Sequence, residues 1–246
     1  MRVHVCTAPV PPGHPTTTLV VDGVLAVDAG GLGWFAPPAE LARVAHVLLT
    51  HTHIDHVAGL PIFLDTVYGL AAPPPTVAAT AVTLAALRAH VFNNTIMPDF
   101  VELGRHIPPF LVERELTPGT PTRLGRYEVT AHEVTHTVPT VAYVIDDGTD
   151  AVAVVTDTAP VPELIARLAA TPRLRTVYLE SSFPVAEAAL AVLTCHLTTV
   201  QFLEAAATLE SAGVRVVPIH VKPRYAAEIT AELRAASRAN VELPAG

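Results

Sequence analysis

Lysine is nearly absent from this chain: Lys222 is the single one in 246 residues, and the arginines form no run. Gripping a long polynucleotide takes a track of basic side chains to neutralise phosphates. No such track is present, and with a formal net charge of -8 the composition favours a small anionic substrate over a long nucleic acid. Cysteine is scarce as well. Cys6 and Cys195 are too few for a disulfide framework and read as small buried apolar residues. No stretch reaches the roughly 18 apolar residues of a membrane span. The start of the chain, Met1 to Val5, enters a strand without an apolar run of signal-peptide length, so the expected compartment is the cytoplasm. Repeats, charge blocks and low-complexity linkers are missing too, which leaves residues 1–246 as one expected domain with room for a substantial core.

What is present is concentrated in Thr50-His51-Thr52-His53-Ile54-Asp55-His56. Four potential metal ligands fall within six residues, directly after the apolar run Val44 to Leu49, which reads as a buried strand. If the segment continues extended, His51, His53 and Asp55 project to one face, and a turn into a helix brings His56 round from behind. Imidazole and carboxylate suit zinc, with manganese or iron as alternatives. His4, His14, His46, His90, His106 and His132 lie outside any such cluster and read as ordinary surface or hydrogen-bonded histidines.

This segment resembles the HxHxDH signature of the metallo-β-lactamase superfamily. The resemblance implies an α/β fold, an αββα sandwich of two mixed sheets flanked by helices, with two divalent metal ions at one edge. Further ligands follow from matching segments. His136, ahead of the strand Thr140 to Ile145, is the matching histidine, with His132 as its competitor. Asp157, at the exit of the apolar strand Ala151 to Val155, matches the bridging aspartate, and His220, after Val214 to Ile219, matches the last histidine. The resemblance also places Asp28 near the metals as a supporting residue; as a bare observation it is equally a turn aspartate.

Three segments narrow the resemblance to the class II cyclic nucleotide phosphodiesterases. Phe92-Asn93-Asn94 to Phe100 looks like their F-N-x-x-x-W-P-x-F region, with Met97 in the aromatic's place. Glu180-Ser181-Ser182-Phe183 and Cys195-His196-Leu197-Thr198 look like E-x-S-F and G-H-L-T, and also like the glutamate and histidine pair of RNase Z. Asn93, Asn94, Lys222 and Arg224 are then the candidate substrate contacts, the last two being equally readable as surface charge. The Pro-rich stretch 7–15 departs from the family's glycine-rich loop, and proline stiffens what glycine leaves permissive.

Strands are expected at Val3 to Cys6, Thr17 to Val21, Val24 to Val27, Thr76 to Thr80 and Thr176 to Leu179, with an Asp22-Gly23 hairpin turn. Helices are expected at Val57 to Tyr68, Ala81 to Phe92 and Val161 to Ala170. Thr198 with Gln201 reads as a capping box holding His196 just ahead of a helix.

The resemblance implies hydrolysis of the 3′,5′-cyclic phosphodiester of cAMP or cGMP by a metal-bridging hydroxide. Asp55 belongs to the catalytic set, His196 is the general acid, and Glu180 orients it. The family also implies a homodimer. Alternatives are an RNase Z-like nuclease and a non-catalytic metal or nucleotide sensor on the same fold.

Overall fold

A computed structural model describes residues 1–6, 16–71 and 73–243. The Pro-rich stretch 7–15, with His14, lies outside the described residues. The chain divides into two compact units, Arg2–Thr117 and Pro118–Gly246, with Met1 grouped with the second.

The first unit carries a mixed sheet, six-stranded among the described residues. β1 (Val3–Val5), β2 (Leu19–Val21) and β3 (Leu25–Val27) run antiparallel as a meander. The hairpin between β2 and β3 turns where expected, with Asp22 at φ 50° and Gly23 at φ 73°. β4 (His46–Leu48), β5 (Thr76–Ala79) and β6 (Val112–Glu115) continue the sheet in parallel. Parallel neighbours need crossovers, and helices supply them. The helices Leu60–Val67 and Ala81–His90 bury Phe63, Leu64, Val67, Leu84 and Leu87. The expected helix Val57 to Tyr68 is in fact two pieces, Ile54–Val57 and Leu60–Val67. The break falls at Gly59, where a Cβ would sit 2.5 Å from the Ala29 carbonyl oxygen. Only glycine lets the two backbones come that close.

The second unit mirrors this order. β7 (Thr122–Leu124), β8 (Tyr127–Val134), β9 (Thr140–Asp146) and β10 (Ala151–Val155) are antiparallel, and β11 (Leu174–Glu180) and β12 (Arg215–Ile219) add in parallel. The helices Pro162–Ala169, Thr199–Glu210 and Ala226–Ala236 pack Leu164, Ile165, Leu168, Phe202, Ala206, Leu209, Ile229 and Leu233 into one core with strand residues such as Val155 and Leu179. The expected capping box of Thr198 and Gln201 starts the second of these helices.

Parallel strands aim their carboxyl ends at one edge of the sheet, where loops gather functional side chains. The first residues past β10, β11 and β12 include Asp157, Ser181, Ser182 and His220, and β11 itself ends on Glu180.

Candidate metal centre

In the first unit β4 stops at Leu48, and His53 is the residue before the helix Ile54–Val57. This corrects one detail of the expected geometry: Asp55 stands on a helix and not on a continued extended segment. The donors still gather. The ring centroids of His51 and His53 are 4.6 Å apart, those of His51 and His56 are 4.1 Å apart, and His56 Nε2 lies 3.7 Å from Asp55 Oδ2.

Asp28 is bonded to the histidine loop. It is wholly buried and takes φ 58°, a left-handed conformation that aims its carboxylate at the histidine loop. Oδ2 pairs with His56 Nδ1 at 2.7 Å, and Oδ1 accepts the Thr50 N–H at 2.8 Å. Thr50 Oγ1 donates to the same carboxylate at 2.8 Å and so has only a lone pair to offer His51 Nδ1, 3.0 Å away. Both imidazoles therefore carry their proton on Nδ1 and turn the Nε2 lone pair inward as the donor atom. Partners of this kind orient metal-binding histidines and raise their basicity. Sequence reading passed over Thr50, for which a threonine beside a histidine gave no signal.

The loop has a backbone frame of its own. The Asp55 carbonyl accepts from Thr17 N at 2.8 Å, the Thr17 carbonyl from Gly30 N at 3.0 Å, and the His56 carbonyl from Ala29 N at 2.7 Å. A Cβ on Gly30 would lie 1.8 Å from the Asp55 oxygen.

In the second unit three imidazoles turn their Nε2 atoms to one carboxylate. His136 and His196 lie 3.5 and 3.8 Å from Asp157 Oδ2, and His220 lies 3.3 Å from Asp157 Oδ1. Asp157, His196 and His220 each offer one ligand atom, all within 4.8 Å of one another. His136, not His132, is the imidazole that faces Asp157. Each Nδ1 is engaged by the protein. His136 faces the Cys195 carbonyl at 3.1 Å, His220 faces Ser182 Oγ at 3.0 Å, and His196 lies 3.1 Å from both Glu180 oxygens. A carbonyl can only accept, so His136 also holds its proton on Nδ1.

Glu180 is fully buried and collects the Thr158 N–H at 2.5 Å, the Leu197 N–H at 3.2 Å and the Ser182 hydroxyl at 2.5 Å. Burial pushes its carboxyl up to about 8. The Asp157 charge pushes the same way, and His220 and the bonds from Ser182 and Thr158 oppose them. Ser182 joins two roles, donating to Glu180 while its lone pair faces His220 Nδ1. The quoted E-x-S-F match contained it, but its link to His220 spans 38 residues and leaves no local pattern. His220 at φ 53° and Cys195 at φ 54° are left-handed non-glycine residues, and such strain concentrates at functional sites.

The candidate substrate residues sit as follows. Asn93 Oδ1 accepts from Thr95 N and Ile96 N, its amide donates to the Ala89 carbonyl, and Asn94 Oδ1 accepts from Asp99 N. These amides hold their own loop in shape. The Arg224 guanidinium carbon stands 5.4 Å from the Tyr225 ring centre, and that ring packs against Phe183, itself 5.7 Å from His196. Lys222 directly precedes the single turn Pro223–Tyr225.

The donor chemistry fits divalent cations: imidazoles, five of them held through Nδ1 by a protein oxygen, together with the carboxylates of Asp55 and Asp157.

Known proteins resemble the chain over most of its length. The family model described as "Beta-lactamase superfamily domain" matches residues 17–221. Ribonuclease J of Thermus thermophilus is 29% identical over 133 residues, which is 49% of this chain and 21% of that protein, so the match spans about a fifth of the curated relative. The crystal structure of unliganded yeast PDE1 superposes with a TM-score of 0.76 at 17% identity, covering 98% of this chain and 95% of that one. For the short form of human tRNase Z the TM-score is 0.66 at 17% identity, covering 89% of this chain and 92% of that one. At these identities the structural likeness is one of fold. The two mixed sheets with their flanking helices are of the expected αββα class.

Proposed function

Because the chain belongs to the metallo-β-lactamase superfamily, we propose that it is a binuclear metal-dependent phosphodiesterase that opens the 3′,5′-cyclic phosphodiester of cAMP or cGMP to the 5′-nucleotide. In this reading His51, His53 and His136 would hold one cation and Asp55, His56 and His220 the other, with Asp157 shared between the two groups. The family match, which spans residues 17–221, supports treating these donors as one set. Bound zinc, manganese or iron supplies Lewis acidity toward the phosphoryl oxygens and lowers the pKa of a water near them.

The protein's own residues do the rest. Glu180 holds His196 through Nδ1 with both oxygens at 3.1 Å, and in this reading Nε2, which faces Asp157 at 3.8 Å, delivers a proton to the departing ribose oxygen. An alkoxide leaves poorly without that proton, and a placed acid of this kind typically contributes 10² to 10⁴ in rate. The buried Glu180 and His196 pair supports phosphodiester hydrolysis, and the single lysine is the observation that favours a small cyclic substrate. Asn93, Asn94, Lys222 and Arg224 are the proposed contacts to nucleotide and phosphate.

An RNase Z-like nuclease would share these donors and the same pair. The single lysine argues against it, since binding a structured RNA relies heavily on phosphate contacts. Product analysis over a panel of cyclic nucleotides and RNA, with metal content measured on the same sample, tests the proposal. Turnover of RNA with no turnover of cyclic nucleotides would overturn it.

A further inference from the structure

We propose that Glu232, which lies outside every motif described above, is a positioning residue for His196. The proposal rests on the reading of His196 as the proton donor.

Residues 183–199 leave β11 and return to the helix Thr199–Glu210 as a closed excursion. Its neck is stitched by backbone hydrogen bonds. Ser182 N and Phe183 N each donate to the Leu197 carbonyl at 3.2 Å, Thr199 N donates to the Phe183 carbonyl at 3.0 Å, and Phe183 and Thr198 form an isolated bridge. The body is held less well. In its helix Ala188–Thr194, Val192 and Leu193 are 71% and 78% exposed, and the buried residue is Ala191. Elements with little buried apolar surface open most readily. His196 rides on the returning limb of this excursion.

The Glu232 carboxylate reaches both limbs at once. Its two oxygens accept from Val185 N at 3.2 and 3.3 Å, and the hydroxyl of the fully buried Thr199 donates to one of them. Val185 opens the turn Val185–Glu187 and Thr199 opens the helix Thr199–Glu210. Both are helix starts, where negative charge is favoured, and at Val185 the carboxylate takes an N–H that the turn leaves unpaired. A single side chain therefore pins the outgoing and returning limbs to one point on the helix Ala226–Ala236, reaching across 47 and 33 residues of sequence. With the pin removed, the neck keeps its backbone bonds but the returning limb gains play, and the imidazole loses its fixed approach to Glu180. Small displacements of a catalytic group are costly in rate.

The test uses the full chain with Glu232→Ala and the near-isosteric Glu232→Gln, which keeps one acceptor oxygen. In the metal-free proteins the imidazole ¹⁵N signals of His196 should shift or broaden in Glu232→Ala and lie between wild type and alanine in Glu232→Gln. Amides of residues 185–199 should exchange faster, with those of β10 and β11 unchanged. In the metal-loaded proteins the alanine variant should lose about tenfold more turnover on an ester with an alkoxide leaving group than on one releasing p-nitrophenolate. Faster exchange with an unmoved His196 signal would make Glu232 a helix cap only and overturn the proposal. If Glu232→Ala does not fold, Glu232→Gln carries the same comparison. If the wild type turns over no phosphodiester, the proposed function fails by itself, and the His196 signal still decides the role of Glu232.

Discussion

Replacing Asp28 by asparagine should strip cations from His56 without unfolding the protein, because it changes which nitrogen of that imidazole holds the proton. The Thr50 N–H, 2.8 Å from Oδ1, dictates how the new amide sits. Its carbonyl must face that N–H, since the reverse orientation would bring two donors together. The NH₂ group then occupies the place of Oδ2, 2.7 Å from His56 Nδ1. An imidazole nitrogen facing a donor must accept, so the ring's single proton moves to Nε2, where it blocks coordination. Loss of such an orienting partner typically lowers metal affinity 10- to 100-fold, roughly 1.4 to 2.8 kcal/mol. Folding stability should fall by about 1 to 3 kcal/mol as charge-assisted bonds from Thr50 and His56 become neutral ones. Titration of the apo variant with zinc against a chromophoric chelator measures the first quantity, and urea unfolding the second. Imidazole ¹⁵N shifts of His56 report the tautomer directly. A folded Asp28→Asn protein with wild-type affinity for both cations, or with His56 still protonated at Nδ1, would refute the reasoning.

Three further outcomes are expected. His196→Ala should retain its metal content and lose turnover on an alkoxide leaving group by about 10² to 10⁴, far more than on p-nitrophenolate; equal losses on the two esters would remove His196 from the acid role. Gly30→Ala drives a methyl group into the Asp55 carbonyl, 1.8 Å from its Cβ position. The turn must open, destabilising by about 3 kcal/mol in urea unfolding, and a change under about 0.5 kcal/mol would count against the described packing. Cys195→Gly relieves a left-handed residue at φ 54°, worth roughly 1 to 2 kcal/mol, against about 0.5 to 1 kcal/mol of added chain entropy. Unfolding should therefore rank Gly at or above Cys, with the β-branched Cys195→Val below both; valine matching cysteine would contradict the assigned backbone.

Much of the metal loop was legible because its information is local. Four potential ligands in six residues after an apolar run need no tertiary contact to be noticed, and neither does an Asp-Gly turn or a Thr198 and Gln201 capping box. Ala151 to Val155 is buried at every position, as an uninterrupted apolar strand with parallel and antiparallel neighbours should be. β6 was missed for the complementary reason. Val112-Glu113-Arg114-Glu115 lies at a sheet edge with no position fully buried, so nothing in its pattern marks it as a strand.

The sequence by itself determined which side chains could ligate a metal, where the buried strands run and which family the chain resembles. Each of these depends on neighbours a few residues apart. Only the tertiary structure decided that Asp55 stands on a helix, that the Asn93 amide and Asn94 Oδ1 hydrogen-bond within their own loop, and that Thr50, Ser182 and the Cys195 carbonyl fix the histidine tautomers. The Glu232 contacts with Val185 and Thr199 belong with these. Such contacts join residues that the sheet brings together from far apart in the chain, and a hydrogen bond across 38 or 47 residues has no periodicity to betray it.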